Sequence, residues 1–177
     1  LPNASLWSPE TPTLYQLRLV LTQNKKVVDE VWQETGFRQI EFSGRELRLN
    51  GAPLALRGID WYEDYGQQSA LLDTAAVMQL VATLQQLGVN ALRVVGHQSH
   101  PLLPALCDRA GIFLLEEMPL YYLTDAHFQH ARFAPIAQLL AREMQQRDRH
   151  HPSVLAWGLG VNNAPLSEGA QREVAAL

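Results

Sequence analysis

Cysteine is nearly absent from this chain: Cys107 is the only one in 177 residues, so no intrachain disulfide can form. It stands in PLLPALCDRAG with Leu103, Leu106 and Ala110 at helical spacing, which reads as a small buried apolar residue. A reactive thiol needs a paired histidine and an electropositive setting, and the surrounding sequence supplies neither. Long hydrophobic runs are missing too, with no apolar stretch near the roughly 18 residues of a membrane span. Charge of one sign never accumulates. The net charge is −4, no basic stripe points to nucleic acid, and no charge block points to a solvated tail. Neither a nucleic acid nor a membrane is therefore an expected partner. His97 and His100, like His127 and His130, stand at i, i+3 spacing without a third ligand, so no metal site is expected. What is present, 47% hydrophobic residues, is ordinary for a chain that buries a core. There is no signal-peptide pattern, but the first residue is Leu1 rather than Met, and Leu177 falls inside the helical-looking SEGAQREVAAL. We expect an internal segment of a longer polypeptide, with the remainder of that polypeptide as a partner. A homo-oligomer is left open.

Two rhythms divide the sequence. In the first forty-odd residues Leu14, Gln16, Arg18 and Val20 alternate with Tyr15, Leu17, Leu19 and Leu21, the period-2 pattern of a strand. A turn at QNKK leads into a second run through Val27, Val28, Val31 and Trp32. Ser8-Pro9 and Thr11-Pro12 punctuate the approach. Two or three strands cannot bury a face alone, so this region reads as the closing part of an antiparallel sandwich.

From about residue 52 the rhythm becomes strand–helix–strand. Strands are predicted over Leu54 to Trp61, Ala91 to Gly96, Phe113 to Met118 and Val154 to Gly160. Asp73 can cap a helix whose apolar face is Val77, Leu80, Val81 and Leu84, stopping at Gly88. A second helix runs from about Leu102 to Gly111. A third, from Pro135, carries Ile136, Leu139, Leu140 and Met144 on one face and ends before Pro152. Four βα units in series predict an α/β fold with a parallel sheet and helices outside. Periodicity alone leaves a doubly wound sheet and a (β/α)8 barrel equally open.

Five segments carry a resemblance, in order. LWSPETPTLY matches L-W-S-P-x-x-P-x-L-Y, and GFRQIEFSGRELRLNGAPLALRGID matches a G-F-R…L-N-G-x-P…G-[VI]-N pattern. LGVNALRVVGHQSHP and GIFLLEEMPL match L-G-x-N-x-[VI]-R-x-[SG]-H-Y-P and G-[LI]-x-[VL]-x-[DE]-E-x-P. RDRHHPSVLAWGLGVN matches R-D-[KR]-N-H-P-S-[VI]-x-x-W-S-L-G-N-E except at its end. Together these segments resemble glycoside hydrolase family 2, the family of β-galactosidases, β-glucuronidases and β-mannosidases. The resemblance implies the last strands of an immunoglobulin-like β-sandwich over residues 1–42. Residues 43–177 would then be the first four βα units of a (β/α)8 TIM barrel. A complete barrel takes about 250 residues. It also implies hydrolysis of an O-glycosidic bond in a β-glycoside, a carbohydrate substrate and no cofactor. Solution in a bacterial cytoplasm or periplasm is the expected setting.

Chemistry in such barrels sits where strands end at the C-terminal face. Strand one would end at Asp60-Trp61-Tyr62-Glu63, where the family commonly has Asn-Arg-His-Glu, so only Glu63 is kept. Asp60, Trp61 and Tyr62 are substrate-binding candidates, with the two aromatics as sugar platforms or as simple loop packing. Arg93 matches the family arginine and serves either to orient a carboxylate or to brace the barrel. His97 corresponds to the family histidine displaced by one position. Of Glu116 and Glu117, alternation sends one into the barrel, toward Arg93 or Arg57, and the other toward the helices. Glu117 is taken as the substrate-side residue. The metal-ligating glutamate of some family members would align near Tyr121, which is no carboxylate. Strand four brings Trp157 as a substrate-binding candidate and Asn162 at the acid/base position, where the family has glutamate. No carboxylate follows Gly160 until Glu168. The family nucleophile, on strand seven, would lie beyond Leu177.

Overall fold

The computed structural model describes residues 3–62, 74–163 and 167–175. It begins with a hairpin of β1 (Tyr15–Gln23) and β2 (Lys26–Thr35), antiparallel throughout. Asn24 and Lys25 make its turn with φ of 51° and 64°, the left-handed pair that suits the twist of a two-residue hairpin. One face presents Leu17, Leu19 and Val31, all exposed, and the other carries Arg18, Glu30 and Trp32. Arg18 lies over the Trp32 ring and donates to Glu30, whose carboxyl is held below its ordinary range by that bond first.

Three short antiparallel strands follow: β3 (Ile40–Ser43), β4 (Glu46–Leu49) and β5 (Ala52–Pro53). They close the N-terminal end of the sheet beyond. Trp7 is fully buried there, edge-on to Phe113 at 5.1 Å, with its indole N–H donating to the Asp108 carbonyl at 2.8 Å. Leu49 and Ala91 pack in the same cluster. Further bonds tie the hairpin to the base of the last strand. Thr35 Oγ1 donates to the His150 carbonyl at 2.8 Å, and Arg38 donates to the carbonyls of Pro152 and Val154.

The main sheet is parallel, in the order β6 (Gly58–Trp61), β7 (Ala91–Val94), β8 (Phe113–Glu117) and β9 (Val154–Gly158). Helix α1 (Thr74–Gln86) buries Val77, Leu80, Val81 and Leu84, the stripe its spacing predicts. Its expected cap, Asp73, lies outside the described residues. Helix α2 (Leu102–Ala110) stops at Gly111, left-handed at φ 70°, where a side chain would run into the Pro9 backbone. These helices cover one face of the sheet through Leu92, Val94, Leu114 and Val154. The order and parallel pairing of these units are those of the first half of a (β/α)8 barrel, preceded by strands.

Two helices depart from expectation. A short α3 (Asp125–Phe128) stands where the sequence shows no periodic run. Helix α4 (Phe133–Asp148) begins before Pro135, which fits because a first-turn residue has no intrahelical N–H partner to lose. Its buried stripe is Ala137, Met144 and Asp148, while Ile136 and Leu139 are each 54% exposed. Of the predicted face, Met144 is buried and Leu140 packs beside it, while Ala137 and Asp148 take the contact that Ile136 and Leu139 were expected to make. The chain's last described helix is α5 (Glu168–Ala175). Among the described residues no helix is long and apolar enough to cross a membrane.

Candidate functional site

Register decides which side chains meet. In a parallel sheet, paired residues point to the same face. Asp60 pairs with Arg93, and Glu117 with Gly158. These residues lie on the face opposite the helices, at the strand ends. Arg93 Nε donates to Glu117 Oε1 at 2.7 Å, and its NH1 donates to Asp60 Oδ2 at 3.1 Å. The hydrogen bond to Glu117 first, with the nearby charges, holds the guanidinium above its ordinary value against partial desolvation. Glu117 Oε2 accepts the backbone N–H of Gly96 at 2.8 Å, so both of its oxygens are engaged. Arg57 is elsewhere, donating to the Gly88 carbonyl.

Two glycines make the room. A Cβ on Gly158 would stand 2.7 Å from Glu117 Cγ, so only glycine leaves that carboxylate its place. Gly96 turns with φ 73° directly beneath the Tyr121 ring, whose hydroxyl donates to the Val95 carbonyl at 3.2 Å. Neither contact was legible in the sequence beforehand, since both depend on cross-strand register. A glycine at a strand end was the one available sign.

The strand ladder continues past β9. Tyr121 bridges Val161, and Tyr122 N donates to the Val161 carbonyl at 3.1 Å. Asn162 follows, exposed and left-handed at φ 50°, with its side-chain amide 3.5 Å from the Tyr122 hydroxyl. Tyr122 has the same φ of 50°. Uncommon backbone at two facing residues is concentrated at the end of the fourth strand.

The structure brings Asp60, Arg93 and Glu117 together and leaves other candidates apart. Trp61 and Trp157 lie on the helix-facing side and pack against the core there. Both indole N–H groups are buried and have no partner among the described residues. Tyr62 is 45% exposed beside β6. His97 is half-buried in the loop after β7, with Nδ1 3.1 Å from the Gln98 carbonyl. Glu63 lies outside the described residues. No group of three or more His, Cys, Asp or Glu is placed to hold a metal among the described residues.

The family description "Glycosyl hydrolases family 2, TIM barrel domain" matches residues 40–177, and "Glycosyl hydrolases family 2" matches residues 1–38. The chain belongs to glycosyl hydrolase family 2. A β-galactosidase of Enterobacter cloacae is 35% identical over 165 residues, which is 88% of this chain and 16% of that protein. The chain thus spans about a sixth of the length of the curated relatives it matches. The crystal structure of a GH2 β-galacturonidase from Eisenbergiella tayi bound to galacturonate superposes with a TM-score of 0.93 at 30% identity. That match covers 99% of this chain and 32% of the other. A β-glucuronidase of Parabacteroides merdae gives 0.85 at 25% identity, covering 98% and 22%. The parallel sheet β6–β9 with its helices is accordingly the first half of a family 2 TIM barrel, and the relatives are glycosidases.

Proposed function

We propose that the protein built on this half barrel hydrolyses an O-glycosidic bond of a β-glycoside, with Asp60, Arg93 and Glu117 lining the sugar side. The observation that carries this reading is the Arg93 guanidinium held between two carboxylates on the interior face, at the strand ends where TIM barrels do chemistry. Arg93 positions Glu117, and in this reading Tyr62, His97 and Asn162 are further candidates for contact with sugar hydroxyls. Trp61 and Trp157 support the opening from the helix side. In this reading residues 1–42 end a sandwich and residues 43–177 begin the barrel.

A retaining glycosidase needs two carboxyl groups about 5 to 5.5 Å apart. Asn162, in the acid/base position, cannot transfer a proton, and losing a general acid costs about 10²–10⁴ in rate. The nucleophile comes from residues outside these four units. The 177-residue chain by itself is therefore inactive, and Asn162→Glu alone does not restore turnover. The test is an assay of the chain, its Asn162→Glu form and the full-length protein on aryl β-galactosides, β-glucuronides and β-mannosides. Turnover by the full-length protein alone is expected; turnover by the chain that survives repurification overturns the division of labour. A second reading is a sugar-binding relative without turnover. It is favoured by the absence of any carboxylate between Gly160 and Glu168, and a full-length protein that binds these sugars without cleaving them would select it.

A further inference from the structure

Behind the sheet, on the helix side of β8, lies a charged cluster that the proposed reaction does not use. Glu116 is fully buried. Its Oε1 accepts the Ser99 backbone N–H at 3.2 Å, the Ser99 hydroxyl, and Arg147 NH2 at 3.2 Å. Arg147 Nε donates to both oxygens of Asp148, at 2.7 and 2.8 Å, and its NH1 donates to the Ser99 carbonyl at 3.0 Å. Gln98 Nε2 donates to Asp148 Oδ2 at 3.1 Å. Asp148 is 1% exposed. Glu116 Oε2 is buried without an N–H or O–H donor among the described residues.

Two buried carboxyl groups thus share one guanidinium. An ionised carboxylate oxygen buried without a donor is expensive. A proton on Glu116 Oε2 removes that cost, and Asp148, which shares Arg147 with Glu116, is the carboxylate that bonds it. On the opposite face Glu117 Oε2 holds the Gly96 N–H. Adjacent carboxyl groups of one strand therefore grip the two ends of the Gly96–Ser99 loop from opposite sides, with His97 between the grips.

We propose that Glu116 and Asp148 share a single proton, and that this pair is a positioning latch that fixes the Gly96–Ser99 loop, and with it His97, at the mouth of the half barrel. Burial first, then the bond with Asp148, pushes the Glu116 carboxyl up to about 7. Burial also pushes Asp148 upward, but its bonds from Arg147 and Glu116 hold it below its ordinary value. The Cys107 thiol on α2 is pushed far up by burial and stays neutral. His150, near Asp148, is pushed down by burial and by His151. Trp157 pairs with Glu116 across the sheet and carries no charge. The latch is closed below about pH 7 and opens as pH rises through it. It stands whether or not the protein cleaves a glycoside.

Hydrogen exchange read by mass spectrometry on the intact protein tests the latch. One pH unit either side of the transition changes proton occupancy about tenfold, so protection of the Gly96–Ser99 segment should fall about tenfold from about pH 6 to about pH 8. Glu116→Gln keeps an acceptor for Ser99 and Arg147 and donates an amide N–H to Asp148, so its protection should stay level across that range. Glu116→Ala should lose protection at both ends; if it does not fold, the glutamine variant decides alone. Infrared spectroscopy should show a protonated-carboxyl band at the acid end that fades through neutrality and is missing in Glu116→Gln. Level protection in the parent protein, an equal fall in Glu116→Gln, or no such band overturns the proposal.

Discussion

On the interior face of β8, Glu117, 9% exposed, meets Arg93, 38% exposed, whereas one residue earlier Glu116, with no solvent contact, meets Arg147, 31% exposed. The two pairs use the same chemistry. They differ in what happens when a partner is removed. At the opening, water can reach a stranded group, and part of the lost interaction is recovered by hydration. Behind the sheet Glu116 and Asp148 have almost no solvent contact, so a charge stranded there keeps more of its desolvation cost. A strand's alternation therefore sorts two neighbouring carboxylates into one on the barrel's interior face and one buried behind the sheet.

The sharpest way to break this comparison is Arg147→Ala. It leaves Glu116 and Asp148 buried with no cation, and we expect a loss of about 3–5 kcal/mol in stability. Arg93→Ala at the opening should cost less, about 1–3 kcal/mol, through the donor that Glu117 loses. Paired denaturant titrations with a common m-value check this. Equal losses, or a larger one for Arg93, would show that exposure does not separate the two faces.

A pH series sharpens the same comparison. The Glu116 carboxyl is raised in the folded state, from 4.5 to about 7, so the folded protein binds the extra proton in that window. Its stabilisation is fully present below the unfolded value and is lost as pH rises through about 7. Asp148, held low, works in the other direction and loses its share as pH falls below its unfolded value. One titrating proton gives a slope of at most ~1.4 kcal/mol per pH unit. Stability of the parent protein should decline from mildly acid to neutral pH, and that decline should be missing in Glu116→Gln. A decline of the same slope in the variant would place the proton elsewhere.

Much of this arrangement was open to sequence reasoning, and the exceptions have physical causes. Alternation alone sends Glu116 and Glu117 to opposite faces, and the 3.6-residue spacing of Val77, Leu80, Val81 and Leu84 gives the buried face of α1. The same alternation, applied from Asp60, sends Trp61 to the helix side, away from the opening. Trp157 was harder. A register shift between Leu114 and Leu115 against β9 resets which residues face inward, and nothing in the local sequence marks it. Strands β3, β4 and β5 are four, four and two residues long, too short for a period to declare itself. The Glu116–Asp148 cluster joins residues far apart in the chain, so only the folded sheet and α4 bring it together.

The smallest expected effect tests how tightly the opening is built. Gly158 pairs with Glu117, and a Cβ there would stand 2.7 Å from Glu117 Cγ. Such a distance is not tolerated, so in Gly158→Ala the glutamate side chain must swing. Its carboxylate is tied at both oxygens, to Arg93 Nε and to the Gly96 N–H. The swing breaks at least one of these bonds, and the Gly96 N–H is the one without a flexible side chain to follow. We expect a loss of about 1 kcal/mol, the ordinary net worth of one hydrogen bond, together with faster exchange of the Gly96 amide. The Ser99 amide, held from the other face by Glu116, should keep its protection. If both amides loosen together, the loop is one unit and the two grips are not independent. If neither does, Glu117 has room that the close approach of Gly158 does not show.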